Sequence, residues 1–576
     1  MARVLLITPY NESDLGTRQL VANLRAEGHE AYLVCAKLTR TRDIPSNDGW
    51  DPLWQVSVLP GGGLKILSYP EPLSPTEKEL LQQLIRKIRP HFIGISVYTA
   101  FVAQAKRLAQ IAKQTAPEAV VSWGGPHVTL DPIGSAEFCD VAFVGECDLI
   151  LGDFLKALEE GKDWRQTPNI VWRERGKLHR NPVGPVVKDL DSIPYPYFGP
   201  EGIYYLDDNE LLEGRPHDFS ELHTYYKILT SRGCPYVCTY CVYSLTKNVM
   251  PDIAKLRFRS IPHCMQELEE AKARMGNFYL EIEDDIFTVR PERMREFFNE
   301  YSARIRMPFG CQTHPNYARP EMLQILKDHH AEFVAMGIQS GSERIANELY
   351  DRRTTRERVL EAAHNIHASG LRAFYDIITN NPFETDEDCR ATFELLRELP
   401  KPYEMRMGIL IIYPGMPIWH MCKEAGISPV ADYQRFRYWN ALYYIASTVD
   451  LSDKDAEFLL NNEELRRNPS LLEAIAGTTV RLTHEGLDSK ILADNYLREV
   501  YRLADRLREL EAELHYIKAR RGFRQFLWVS ERARAAKRRL TGFLKNRKAC
   551  AQASQAKPTP KDVSAPAPCE AVASGH

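Results

Sequence analysis

Short apolar runs alternate with helix-length stretches in two separate blocks of this chain, and that pattern leaves few folds open. In the first block "RVLLITP", "AYLVCA", "FIGISVY", "AVVSWGG" and "VAFVGE" read as strands. Between them "DLGTRQLVANLRAEGHE", "LLQQLIRKIRP" and "AQAKRLAQIAKQTAP" read as helices, the first with apolar residues at Leu20, Val21 and Leu24. Strands separated by helices of this length predict a parallel, doubly wound α/β sheet, and ligands bind such sheets at the carboxyl ends of the strands. Tyr98, Thr99, Gly124, Gly125, His127, Gly145 and Glu146 fall on that rim.

The chain has 576 residues, which implies several domains, each with a core of its own. Seventy-four basic and 77 acidic residues leave a net charge of -3 and no global reason to expect a nucleic-acid partner. The 12 cysteines are scattered except for one group, and "MARVLLITPY" does not read as a signal peptide, so a reducing cytoplasm is the expected setting. No apolar run approaches the roughly 20 residues that span a bilayer.

"GISVYT", "VVSWGGPHVTLDP" and "CDVAFVGECD" stand in an order that resembles the cobalamin-binding, Rossmann-like domain in front of many radical S-adenosylmethionine enzymes, over residues 1–160. One departure matters. In cobalamin-dependent mutases and methionine synthases a DxHxxG motif supplies a histidine below the cobalt, and here "DLGTRQ" has Gly16 at that position. The resemblance therefore implies cobalamin held without a histidine from this loop, with His127 the nearest alternative by position. Residues 161–222 read as a hairpin followed by a Pro- and Tyr-rich linker laid over a neighbouring domain.

"TSRGCPYVCTYCVYS" then places Cys234, Cys238 and Cys241 at a CxxxCxxC spacing. A structural zinc site wants four ligands and no second pair follows. A redox dithiol needs only CxxC and leaves Cys234 unexplained. Three thiolates on an iron-sulfur cluster leave one iron open for a substrate or cofactor, the reading that the spacing favours. With Tyr240 just before the last cysteine, the motif resembles that of radical S-adenosylmethionine enzymes. In that family the thiolates hold a [4Fe-4S] cluster, S-adenosylmethionine chelates the open iron, and reduction releases a 5'-deoxyadenosyl radical. An external one-electron donor such as a flavodoxin or ferredoxin is then required.

The second block follows the cysteines. "NFYLEIEDDIFTV", "FVAMGIQSGSERI", "LRAFYDIITNNPFETDEDC" and "EMRMGILIIYPGMPI" read as strands and turns separated by helices, which predicts a full or partial parallel barrel over 223–430 with its chemistry at the strand ends. By resemblance, Glu283 and Asp284 match the acids that meet the methionine amino group, and Gln339 and Ser340 match the ribose-contacting strand. Asn380 and Glu384 match a Gly-rich turn whose glycine is here Asn380, and Tyr413 lies near adenine or substrate. Tyr240 joins this cofactor-binding set. No residue is singled out as catalytic.

Residues 431–515 read as helical, with a seam through Tyr496, Val500, Leu503, Leu507, Leu510, Leu514 and Ile517. From 515 to 548 twelve Lys or Arg face one acid, Glu531, among aromatic residues, a composition suited to an anionic membrane surface or a solvated helix. The Ala- and Pro-rich tail 549–576 reads as disordered. The resemblance implies a cobalamin-dependent radical enzyme acting on a small molecule, most commonly methylating an unactivated carbon. Cyclisation or rearrangement without methyl transfer is the alternative. A methylthiotransferase would need a second three-cysteine cluster that Cys35, Cys139 and Cys147 do not reproduce. A metal-stabilised scaffold is the non-enzymatic reading.

Overall fold

The computed structural model describes residues 1–10, 14–38, 40–43, 56–58, 64–68, 72–214, 225–429, 432–467 and 469–484, with Ser489 and Glu509. The seam from Tyr496 to Ile517, the basic stretch 515–548 and the tail 549–576 lie outside the described residues. The chain divides into two compact units, Met1–Gly477 and Thr478–His576, and both large sheets belong to the first.

The first sheet has nine strands: β1 (Arg3–Pro9), β2 (Glu30–Ala36), β3 (Phe92–Ser96), β4 (Val120–Gly124), β5 (Val141–Phe143), β6 (Ile170–Glu174), β7 (Lys177–Arg180), β8 (Ile203–Asp207) and β9 (Glu210–Glu213). Their order is β7-β6-β5-β4-β3-β1-β2-β8-β9. The run of six strands from β5 to β8 is parallel; at one edge the hairpin β6–β7 adds through β6, antiparallel to β5, and at the other β9 pairs antiparallel with β8. Alternation explains the two-faced core. Leu5 and Ile7 join Ile93, Ile95 and Trp123 on one face, while Val4 and Leu6 join Phe92, Phe143 and Phe154 on the other. The helices Pro75–Ile88 and Val102–Thr115 pack on the first face, and Leu15–Ala26 and Leu151–Glu159 on the second. Pro75–Ile88 begins at a capping box formed by Ser74 and Glu77, with Pro75 at its first turn.

The stretch expected to be a linker is built into this sheet. Its hairpin supplies β6 and β7 at one edge, and its later part supplies β8 and β9 at the other, so β8 pairs with β2 in parallel.

The second sheet contains β10 (Tyr225–Ile228), β11 (Tyr279–Ile282), β12 (Phe309–Thr313), β13 (Ala331–Gln339), β14 (Arg372–Thr379) and β15 (Glu404–Ile409). They pair in sequence order, all parallel, as a partial barrel. The helices Ile261–Met275, Pro291–Arg304, Pro320–Asp328, Arg356–Ser369 and Asp386–Glu398 cover its outside, so Leu280, Ile282, Val334, Met336 and Ile338 are buried against them. The opposite row faces the barrel interior with charge: Lys227 pairs with Glu281 and Glu283, and Arg406 with Asp376. The helices Tyr433–Thr448, Asp453–Asn461, Glu463–Arg467 and Pro469–His484 follow. No helix among the described residues is long and apolar enough to cross a membrane.

Candidate functional site

The cysteine loop leaves the barrel after β10 and returns as the helix Val242–Val249. Its path is fixed by hydrogen bonds from the backbone of its own residues. Cys234 N–H donates to Ala254 O, Thr239 N–H to Tyr350 O and Cys241 N–H to Cys238 O, and the Thr239 hydroxyl donates to Leu349 O at 2.6 Å. All three cysteines are free thiols and feel one another's charge. Burial pushes Cys234 up to about 12 and Cys241 up to about 11, and raises Cys238 as well. Among the described residues no three His, Cys, Asp or Glu side chains converge on a single ion.

Asp285 is the acid beside these thiols. Burial raises its carboxyl to about 6, it feels Cys234 and Cys241, and it accepts a hydrogen bond from the Tyr243 hydroxyl at 2.9 Å. Its neighbours point elsewhere. Asp284 is buried and accepts from Thr230 N–H at 2.6 Å, the Thr230 hydroxyl at 2.7 Å and the Ser231 hydroxyl at 2.6 Å, so it pins the start of the cysteine loop. Glu283 takes Lys227.

The other expected residues divide in the same way. Gln339 sits at a bulge in β13 with φ +73°, half-buried on the interior row, and its amide folds back over Gly337, where a Cβ would have to displace it. Ser340 is buried on the outer row, beside Thr392 at 3.4 Å. Asn380 occupies φ +61°, the left-handed conformation for which glycine is the common choice and asparagine the best substitute. It accepts from Asn440, and its own amide nitrogen is buried without a partner. Glu384 is fully enclosed, and burial with Asp388 nearby raises it to about 8. Tyr413 is half-buried on the apolar cluster around Leu410 and Met416. Tyr240 packs edge-on to Tyr350, ring centres 4.6 Å apart, and its hydroxyl accepts from Arg352 at 2.6 Å.

A cavity of about 350 Å³ opens at the carboxyl ends of β1, β3, β4 and β5. Tyr98, Gly124, Gly125, Gly145 and Glu146 line it, and Thr99 and His127 bond to each other at 3.0 Å outside the lining. A Cβ placed on Gly124 would meet only Phe143, at 4.0 Å, and one on Gly16 only Asp14, at 3.4 Å, so the space in front of both glycines is left for a ligand. Gly125 and Gly145 take φ +95° and +76°, and Gly145 also lets Met250 approach. Sequence reasoning missed four of the polar groups in the lining: Asp14, which caps the helix Leu15–Ala26 through Gly16 N–H, and Arg232, Arg259 and His263 from the barrel half.

The two sites are fastened together. Arg257 binds Glu146 at 2.6 Å and Arg232 binds Asp148 at 3.0 Å, from the short ribbon Ser231–Arg232/Arg257–Phe258 that flanks the cysteine loop. Glu146, expected on the ligand, thus has its carboxylate committed to Arg257 and to Val187 N–H. The helix Pro126–Leu130, which opens at Gly125, packs on Val242–Val249, which opens at Cys241.

Both halves have known counterparts. Residues 64–155 match the B12 binding domain and residues 228–396 the radical SAM superfamily. Among curated proteins, an uncharacterized methyltransferase of Pyrococcus horikoshii, PH0819, is 27% identical over 349 residues, 59% of this chain and 71% of its own. Among solved structures, the cobalamin-dependent S-adenosylmethionine radical enzyme OxsB, with aqua-cobalamin and S-adenosylmethionine bound, superposes with TM-score 0.59 at 14% identity, covering 97% of this chain and 82% of that one. The radical S-adenosylmethionine methyltransferase TsrM from Kitasatospora setae, with cobalamin and a [4Fe-4S] cluster bound, gives TM-score 0.55 at 16% identity over 74% and 75% of the two chains. A radical S-adenosylmethionine barrel behind a B12 binding domain defines a class of enzymes. With a B12 binding domain ahead of a radical SAM domain, this chain has the domain architecture of the cobalamin-dependent radical S-adenosylmethionine enzymes, which supports a [4Fe-4S] cluster, S-adenosylmethionine and cobalamin as its cofactors.

Proposed function

We propose that this enzyme transfers a methyl group to an unactivated carbon of a small-molecule substrate. The observation that carries the reading is the packing of the helix behind Gly125 on the helix behind Cys241, which sets the cysteine loop beside the wall of the cavity. The cluster supplies a low-potential electron and an open iron, and cobalamin supplies a carrier for the methyl group. The chain's own part is to bind, orient and exclude water. In this reading Cys234, Cys238 and Cys241 are the cluster ligands, with Thr239 fixing their loop. Asp285, Gln339, Asn380 and Tyr413 face S-adenosylmethionine. Asp285 takes the role expected of Asp284, which is used up by Thr230 and Ser231. Tyr98, Gly124, Gly125 and Gly145 cradle cobalamin, and no histidine comes from the loop at Gly16. The ion pairs of the barrel interior favour a polar substrate.

The electron comes from an external donor such as a flavodoxin or ferredoxin. A cytoplasmic enzyme resting on anionic membrane through the basic stretch 515–548 completes the reading. The test is anaerobic reconstitution followed by incubation with cell extract and S-adenosylmethionine labelled in its methyl group. A labelled small-molecule product formed together with 5'-deoxyadenosine and S-adenosylhomocysteine supports methyl transfer. Production of 5'-deoxyadenosine with an oxidised, unlabelled product would replace it with cyclisation or rearrangement.

A further inference from the structure

Two consecutive arginines end the segment after β13, and they have opposite fates. Arg353, at φ +56°, lies outside and is bonded to Asp351 at 3.1 Å. Arg352 turns inward and is 6% exposed. It donates to the Tyr240 hydroxyl at 2.6 Å and to Gly337 O at 2.5 Å, and its Nε is buried with no partner. Among the described residues no carboxylate within salt-bridge distance answers this guanidinium. Asp376, which feels its charge from the adjacent strand, is already held by Arg406 at 2.7 Å. An unpaired buried cation costs several kcal/mol, so an anion belongs beside it. Its bond to Tyr240, the residue between Cys238 and Cys241 on the loop, places it on the side of these two cysteines, whose thiols feel its charge.

We propose that Arg352 is the fixed counter-charge of the cluster and sets how readily the cluster accepts its electron. Three thiolates give the oxidised cluster a net negative charge, and one electron makes it more negative. A cation held in place by Tyr240 and Gly337 stabilises the reduced form more than the oxidised form and raises the potential. Burial keeps this interaction from being screened by water or salt. Tyr240 then acts by holding Arg352 against the cysteine loop.

The experiment is a redox titration of the reconstituted full-length enzyme, followed by electron paramagnetic resonance of the reduced cluster, with iron and sulfide counted for each variant. R352Q keeps donors for Tyr240 and Gly337 without the charge, and R352K keeps the charge. We expect R352Q to move the midpoint negative by at least a tenfold change in the reduction equilibrium, about 59 mV for one electron, at full iron and sulfide content. R352K should stay close to the parent. An unchanged midpoint in a fully loaded R352Q would overturn the proposal. If R352Q fails to assemble a cluster, R352K decides: loading with the parent's midpoint supports the proposal, and failure to load or a negative shift refutes it.

Discussion

The two cofactor sites are made in opposite ways. The cavity of the first sheet is made by leaving side chains out: Gly16, Gly124, Gly125 and Gly145 sit where strands end, and the space in front of them is shaped by backbone. The cysteine loop is made by putting side chains in, three thiols on a loop pinned by Thr239 and Asp284. A bulky, neutral ligand needs volume, whereas an iron cluster needs charge and fixed donors. Loading of the two cofactors therefore responds to different kinds of substitution.

The largest effect should follow from removing a thiol. C234A, C238A or C241A should each lose the iron-sulfur absorbance and drop 5'-deoxyadenosine formation below detection, while cobalamin uptake stays near the parent's. A variant that kept full cleavage would show that its cysteine is not a ligand. The mirror lesion is G124V, which meets little protein and so should fold, but fills the cavity mouth. Cobalamin binding should weaken at least about tenfold, roughly 1.4 kcal/mol, with iron content unchanged. Equal binding by parent and variant would remove Gly124 from the cradle.

A smaller effect belongs to the barrel alone. Glu384 keeps its proton to about pH 8 in the fold and has an ordinary value of 4.5. Between these values the unfolded chain binds fewer protons than the folded one, so stability falls as pH rises through that window. Thermal unfolding of the parent between pH 5 and 8 should show this decline and E384Q should flatten it; parallel curves would mean that Glu384 ionises normally. The smallest effect is expected from H127A. His127 bonds to Thr99 and stands outside the cavity lining, so the spectrum of bound cobalamin should not change. A shift characteristic of losing an imidazole from cobalt would reassign it as the lower ligand.

Sequence alternation was enough to read both parallel sheets, because buried strands and covering helices each leave a period in the apolar residues. The ends of strands are harder to read, and parity separates the adjacent acids there. Leu280, Ile282 and Asp284 share one face of β11 and its extension, so Asp284 had to follow its buried neighbours toward the helices, and Asp285 had to fall on the side of the thiols. Counting by twos from Tyr279 reaches Asp285 on the opposite row from Asp284. Ser340 follows Ile338 in the same way. Arg352 and the barrel residues in the cavity wall, Arg232, Arg259 and His263, left no such signal, since only the folded chain brings them to the ligand sites.

The segment between the two halves carries a consequence for how such a chain could have been assembled. Its strands β6 to β9 occupy both edges of the first sheet, and its Leu190, Ile193, Pro194 and Pro196 line the cavity. A fragment cut at residue 160 would expose two unpaired edges, β5 and β2, and an open apolar wall, a recipe for aggregation rather than a free-standing module. Recombination that exchanged the first half for another would have to cross over between β9 and β10, and the incoming half would need acids in place to meet Arg232 and Arg257. Shuffling is therefore confined to one junction and to partners that already match across it.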